Sequence, residues 1–291
     1  AVANPHAAVA GARVLKEGGT AADAMVAVQA VLGLVEPQSS GIGGGAFLVW
    51  FDATTGKLTT LDGRETAPMA ATPGLFQDAN GERMKFWDAV VGGRSVGVPG
   101  TPALMEAAHK RWGQKAWKDL FLEAIDLAES GFSVSPRLAA LIAGDADRLR
   151  QFSDTEAYFF QGGKPLVEGS RLTNLEYADV MRRMADEGAR VIYSGDIARA
   201  IVDTVRGAKS NPGVITLTDL DIYEVRERPA ICVPFRGHQV CGMGPPSSGA
   251  LTVGQILGLL DQFPVGPRGN PHTMRLMGDA SRLAFADRGR Y

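Results

Sequence analysis

Apolar positions recur with helical spacing through the first part of the chain. Residues 6–17 are alanine-rich and stop at Gly18-Gly19. Beyond Thr20, Met25, Val28, Val31, Leu32 and Val35 keep the 3.6-residue period, while Ala21, Ala22, Ala24, Ala27 and Ala30 fill the other faces. A helix over 20–36 that is apolar nearly all round is predicted to be buried. Thr20 with Asp23 three residues on is a capping-box arrangement, with Asp where Glu or Gln is usual, and Pro37 ends the run. The period then changes. Residues 46–51 (AFLVWF) and 57–61 are β-prone runs joined by Asp52-Ala53-Thr54-Thr55-Gly56, a hairpin signal, and the first is apolar enough to be covered on both faces. Helical periodicity returns at 100–112, 117–130, 135–150, 174–187 and 195–207. A second β segment covers 223–243, with Arg236-Gly237 as the turn between 231–235 and 238–243. Pro245-Pro246 breaks it, Ser247 or Ser248 is placed to cap an apolar helix 250–262, and a last helix covers 271–287. No linker, repeat or low-complexity tract interrupts this order, so one interleaved α/β unit is expected.

Composition narrows the function. The chain has 291 residues, 45% hydrophobic and 21% charged, with 30 basic against 32 acidic side chains. That is ample apolar content for a core and excludes a disordered chain. The near-neutral balance gives no electrostatic reason to bind nucleic acid or an anionic membrane. The longest apolar stretch, Ala24–Val35, falls short of the roughly 18–20 residues that span a bilayer. Two cysteines exclude a disulfide-rich scaffold and a four-cysteine zinc site, and His6, His109, His238 and His272 show no metal-binding spacing. No metal and no cofactor are expected.

Four features could carry chemistry. Gly41-Ile42-Gly43-Gly44-Gly45-Ala46 formally satisfies GxGxxG/A, but a helix precedes it and a strand follows, the reverse of a dinucleotide site. A loop needing positive φ and close backbone approach is the simpler reading. Asp62-Gly63-Arg64-Glu65-Thr66-Ala67-Pro68 follows directly on a strand, where α/β proteins often bind ligands. Arginine suits a carboxylate because its planar fork donates two parallel hydrogen bonds. An ion pair of Arg64 with Glu65 or Asp62 is the commoner outcome for such a residue. The serine pairs Ser39-Ser40 and Ser247-Ser248 lack a GxSxG elbow. Finally, a two-residue turn at Arg236-Gly237 pairs Phe235 with His238 and places Cys232 opposite Cys241 in a non-hydrogen-bonded pair. Such a pair, about 4.5 Å apart at Cα, admits a cross-strand disulfide if the protein is exported; two free buried thiols are the alternative.

Taken together, EGGTAADAMVAVQAVLGLVEPQSSGIGGGAF (17–47), DGRETAP (62–68), GVPGT (97–101), YSGDIARAI (193–201), ITLTDLDIYEVRERP (215–229), PPSSGA (245–250) and AFADRGRY (284–291) make the chain resemble the large-subunit portion of gamma-glutamyltransferase. The resemblance covers essentially all of it. It implies the α/β (α+β) N-terminal-nucleophile hydrolase fold, an αββα sandwich, with residues 1–291 as the large-subunit part of a single domain completed by a small subunit. Such enzymes are made as one precursor that cuts itself. The new N-terminal threonine of the small subunit attacks the γ-glutamyl amide of glutathione or a related compound, with its own amine as base. Water, an amino acid or a peptide then takes the acyl group. The family's nucleophile lies downstream of the tyrosine matching Tyr291, so no catalytic residue is expected in this chain. Arg64 matches the arginine that grips the substrate α-carboxylate, and Glu65 the adjacent supporting glutamate; the resemblance thus reverses the local ion-pair reading. Exported bacterial relatives imply a periplasmic or secreted location. The chain departs from the family at Ala46 and Ala250, where glycine is usual, which bears on loop geometry and substrate preference. Two other functions fit the same residues: an acylase for glutaryl-type side chains such as those of cephalosporins, and a catalytically inactive binding homologue.

Overall fold

A computed structural model describes residues 1–267 and 269–290, so Tyr291 lies outside the described residues. The chain divides into two compact units, one of residues 1–46 and 64–224 and one of residues 47–63 and 225–291.

The first unit is mostly helical. Helix α1 (Pro5–Lys16) starts with Pro5 in its first turn and with the Asn4 side chain accepting from the His6 N–H at 3.0 Å. Helix α2 (Ala21–Val35) opens with the expected box: the Asp23 N–H donates to Thr20 Oγ1 at 3.2 Å, and the Thr20 N–H donates to Asp23 Oδ2 at 2.8 Å. The same carboxylate also accepts from the backbone of Gln114 and Lys115, which gives a charged residue reason to be fully buried. Burial pushes the Asp23 carboxyl up, but the N–H groups of Thr20, Gln114 and Lys115 together hold it below the usual aspartate range. The two helices approach closely at Gly11, where a Cβ would lie 2.7 Å from Val28 Cγ2. Around α2 lies the core of this unit, with Leu34, Met105, Phe121, Leu138, Met181, Met184 and Ile215 almost wholly buried.

The helical periods at 100–112, 174–187 and 195–207 appear as Thr101–Trp112, Leu175–Glu187 and Gly195–Arg206. Two others are subdivided. Residues 117–130 form a 3-10 turn, Trp117–Phe121, before the helix Leu122–Ser130. The expected helix 135–150 ends at Gly144 and restarts at Ala146, because Asp145 takes φ −115° and ψ 14° and leaves the helical path. Periodicity alone does not register such a one-residue break.

In the second unit, strands β1 (Ala46–Asp52) and β2 (Lys57–Gly63) form a three-stranded sheet with Arg226–Arg228, in that order. The outer pairing is antiparallel, Thr60 opposite Arg228 and Asp62 opposite Arg226, and Arg228 Nε donates to Asp62 Oδ2 at 2.6 Å. β1 was expected to be covered on both faces. It is instead an edge strand whose alternate residues Val49 and Phe51 are 46% and 62% exposed. The hairpin Ala230–Phe235/His238–Met243 has the expected register, Phe235 opposite His238 and Cys232 opposite Cys241. Both turn residues take positive φ, Arg236 at 49° and Gly237 at 80°, as a two-residue primed turn requires. Cys232 and Cys241 are disulfide-bonded, with Cα atoms 4.0 Å apart. Gly249–Leu260 and Pro271–Arg290 are the helices of this unit. Among the described residues no helix is long and apolar enough to cross a membrane.

Candidate functional site

The site begins where β2 ends. After Gly63 the five residues Arg64–Pro68 run as a loop whose exposed members are Arg64, Glu65, Thr66 and Ala67. Three features fix its backbone. The Tyr223 hydroxyl donates to the Arg64 carbonyl at 2.8 Å. The Val98 N–H donates to the Thr66 carbonyl at 2.9 Å, an isolated β-bridge. Just past the loop, the Met69 N–H donates to Asp219 Oδ1 at 2.8 Å. Asp219 is buried and closes a second capping box with Thr216 at the turn Leu217–Asp221. Burial pushes its carboxyl up, yet the Met69 and Thr216 donors hold it below the usual range, so it stays an anion.

Two glycine-bearing segments flank the loop. Gly97 in GVPGT comes so near that a Cβ there would lie 3.1 Å from Glu65 Cβ and 3.0 Å from the Thr66 oxygen, so only glycine fits without a shift. The Gly44 carbonyl accepts from Gly100 and Thr101 at 2.8 and 3.0 Å, which ties the Gly41–Gly45 loop to the start of the helix Thr101–Trp112. A Cβ on Gly44 would sit 3.6 Å from Glu65 Oε1, an ordinary contact. The expected positive φ is absent at Gly41, Gly43 and Gly44. The loop is a connection from α2 to β1 held by its carbonyls, and its glycines do not serve left-handed turns.

On this frame Arg64 is 57% exposed and Glu65 37% exposed, with Arg64 Nε 3.6 Å from Glu65 Oε2. That ion pair is longer than a hydrogen bond and open to solvent. Asp62, the other acid weighed as a partner, accepts from Arg228. A planar cation on a well-fixed main chain is suited to receive a carboxylate in two parallel hydrogen bonds.

The other candidates serve structure. Ser40 Oγ accepts from Gln29 Nε2 at 2.7 Å, and Ser39 Oγ from Arg137 Nη2 at 3.3 Å. At the start of the helix Gly249–Leu260, Ser247 Oγ accepts from the Gly249 N–H at 3.1 Å, while Ser248 makes no capping bond. Ser248 holds the first position with helical φ/ψ of −85° and −6°, and its hydroxyl accepts from Arg288 Nε at 2.7 Å instead. A capping serine needs extended backbone to aim its oxygen at the helix N–H groups. His109 Nε2 lies 2.9 Å from the Lys115 carbonyl oxygen. Among the described residues no three His, Cys, Asp or Glu side chains converge as a metal site. Sequence reasoning missed Tyr223 and Asp219 as supports of the Arg64 loop. The Thr216/Asp219 spacing was a readable capping signal; the contact of Tyr223 with a residue 159 positions away had none.

This arrangement of helices and strands belongs to the N-terminal-nucleophile hydrolase fold. In Helicobacter pylori gamma-glutamyltranspeptidase the similarity covers 100% of this chain and 83% of that one, at TM-score 0.94 and 34% identity. The cephalosporin acylase of Bacillus halodurans matches 97% of this chain and 52% of its own, at TM-score 0.84 and 29% identity. The gamma-glutamyltranspeptidase family model matches residues 7–291, and the chain belongs to that family. It is 36% identical over 293 residues to the glutathione hydrolase proenzyme of Bacillus subtilis (strain 168), covering 100% of this chain and 49% of that relative. The chain thus spans about half the length of the curated relatives it matches.

Proposed function

We propose that this chain is the large-subunit portion of a gamma-glutamyltransferase and glutathione hydrolase. It works as a heterodimer with a small subunit cut from the same precursor, the two completing one αββα domain. The small subunit's N-terminal threonine adds its hydroxyl oxygen to the γ-carbonyl of glutathione, and the proton passes to the threonine's own amine. The tetrahedral intermediate expels the peptide amine, which takes up that proton, and leaves a γ-glutamyl ester. Water or an acceptor amine then releases the acyl group. In this scheme Arg64 binds the substrate α-carboxylate, Glu65 supports it, and no cofactor takes part. The exposed apolar pair Val49 and Phe51 on β1 is a surface for the partner half. The cross-strand disulfide accords with an exported, periplasmic or secreted enzyme.

The observation that carries this reading is the placement of Arg64, a half-exposed cation on a main chain anchored at Arg64, Thr66 and Met69. The test is Arg64→Lys, which keeps the charge and loses the fork. A large rise in KM for γ-glutamyl anilides is expected, equivalent to about 2–5 kcal/mol of binding for a desolvated pair, with self-cleavage intact. Unchanged kinetics would return Arg64 to a local ion pair with Glu65. The likeness to an acylase keeps a second reading in play, since a glutaryl group also ends in a carboxylate. Anilide release favouring γ-glutamyl over glutaryl substrate supports the first reading, and the reverse preference supports the second.

A further inference from the structure

The Arg64 carbonyl accepts from Tyr223, which is itself part of a pair. Its ring stacks on that of Tyr193, with centroids 5.7 Å apart and planes 7° from parallel. Tyr193 is 5% exposed and has both hydroxyl functions engaged: it donates to the Pro99 carbonyl at 2.9 Å and accepts from the Ala103 N–H at 3.2 Å. Burial pushes its phenol well above the ordinary tyrosine range, so it stays a donor throughout the working pH range. Pro99 sits between Val98, whose N–H holds the Thr66 carbonyl, and Gly100, whose N–H holds the Gly44 carbonyl. The stacked rings therefore connect a rigid helix start to the Arg64 loop. Tyr193 is the fixed base, and Tyr223 reaches from it to the arginine's own main chain.

We propose that Tyr223 is a positioning residue for substrate binding, setting where the Arg64 guanidinium meets the carboxylate through the hydrogen bond from its hydroxyl to the Arg64 carbonyl. This rests on the reading of Arg64 given above and deepens it. Catalytic geometry is steep enough that displacement by a fraction of an ångström at a binding cation is read in kinetics. The effect is confined to substrates that carry the α-carboxylate, because Tyr223 acts through Arg64.

The experiment compares wild type, Tyr223→Phe and Arg64→Lys, each as the full-length precursor matured to both polypeptides, on γ-glutamyl anilide and on 4-aminobutyryl anilide, which lacks the α-carboxylate. Tyr223→Phe keeps the stacked ring and removes one hydroxyl. For it, KM for the γ-glutamyl substrate should rise about 3–10-fold, the range of one net hydrogen bond, with kcat within about two-fold. kcat/KM for the 4-aminobutyryl substrate should be unchanged. Tyr223→Leu, which also removes the stack, should raise KM further with the same selectivity. An unchanged KM in Tyr223→Phe, or equal losses on both substrates, overturns the proposal, the latter marking Tyr223 as merely structural. If Arg64→Lys itself fails to discriminate the two substrates, the reading of Arg64 fails. If it discriminates and Tyr223→Phe does not, only the role of Tyr223 fails.

Discussion

Replacing Asp23 by Asn probes how a fully buried carboxylate is tolerated at the start of the central helix. Its Oδ2 accepts from Thr20 N (2.8 Å), Thr20 Oγ1 (3.1 Å), Gln114 N (3.0 Å) and Lys115 N (3.3 Å), while Oδ1 accepts from Gln114 N at 3.2 Å and lies 3.5 Å from His109 Nε2. An asparagine of the same shape can keep its oxygen at the Oδ2 position, but it loses the charge, and its NH2 then faces the Gln114 N–H and His109 Nε2 with no acceptor. Losing a hydrogen bond to a charged group costs about 1.5–3 kcal/mol, and a stranded buried donor about 1–3 kcal/mol more. The sum is about 3–5 kcal/mol. For a domain of this size each kcal/mol moves the midpoint by about 2–4 °C, so Tm should fall by roughly 6–20 °C. The pH dependence adds a second reading. Asp23 is held below its unfolded value of about 3.9, so its contribution is complete above that pH and is lost as pH falls through the lower folded value. Thermal unfolding followed by circular dichroism at pH 7, 5 and 3 measures both effects. The variant should lose less Tm than wild type between pH 5 and 3. A neutral-pH Tm within about 2 °C of wild type, or an identical acid slope, would refute the reasoning.

Two further outcomes follow from the second unit. The Cys232–Cys241 bond closes a loop of sequence separation 9, worth roughly 2–3 kcal/mol by loop entropy. The double Cys→Ser variant should therefore unfold at lower temperature, and reductant should shift wild type but not the variant. A reduced mass equal to the non-reduced mass, without the two-dalton difference, would contradict the bond. Phe51→Ser on the exposed face of β1 should weaken association with the small subunit, read as dissociation on size-exclusion chromatography; an unaltered heterodimer would remove β1 from that interface.

What the sequence showed and what it hid divide along range of interaction. Thr20-Asp23, Gly18-Gly19 and Pro37 bound α2 through contacts within a few residues, and Arg236-Gly237 set a register that carried Cys232 to Cys241 by counting alone. The break at Asp145 and the 3-10 turn before Leu122 escaped because apolar spacing continues across both. Ser248 escaped because its oxygen is engaged by Arg288, a partner 40 residues on that local capping rules do not weigh. The apolar run of β1 indicates burial without saying by what, and Val49 and Phe51 are exposed here. The place of Arg64 directly after a strand was legible. Its supports Tyr223, Val98 and Asp219 come from three distant segments that only folding brings together.

The most direct measurement is a cycle crossing Arg64→Lys with removal of the substrate's α-carboxylate, reading kcat/KM at all four corners. The account requires the mutation to be costly on γ-glutamyl anilide and nearly silent on the 4-aminobutyryl analogue, with a coupling of about 2–5 kcal/mol. Equal losses on the two substrates, giving no coupling, would show that Arg64 does not meet that carboxylate.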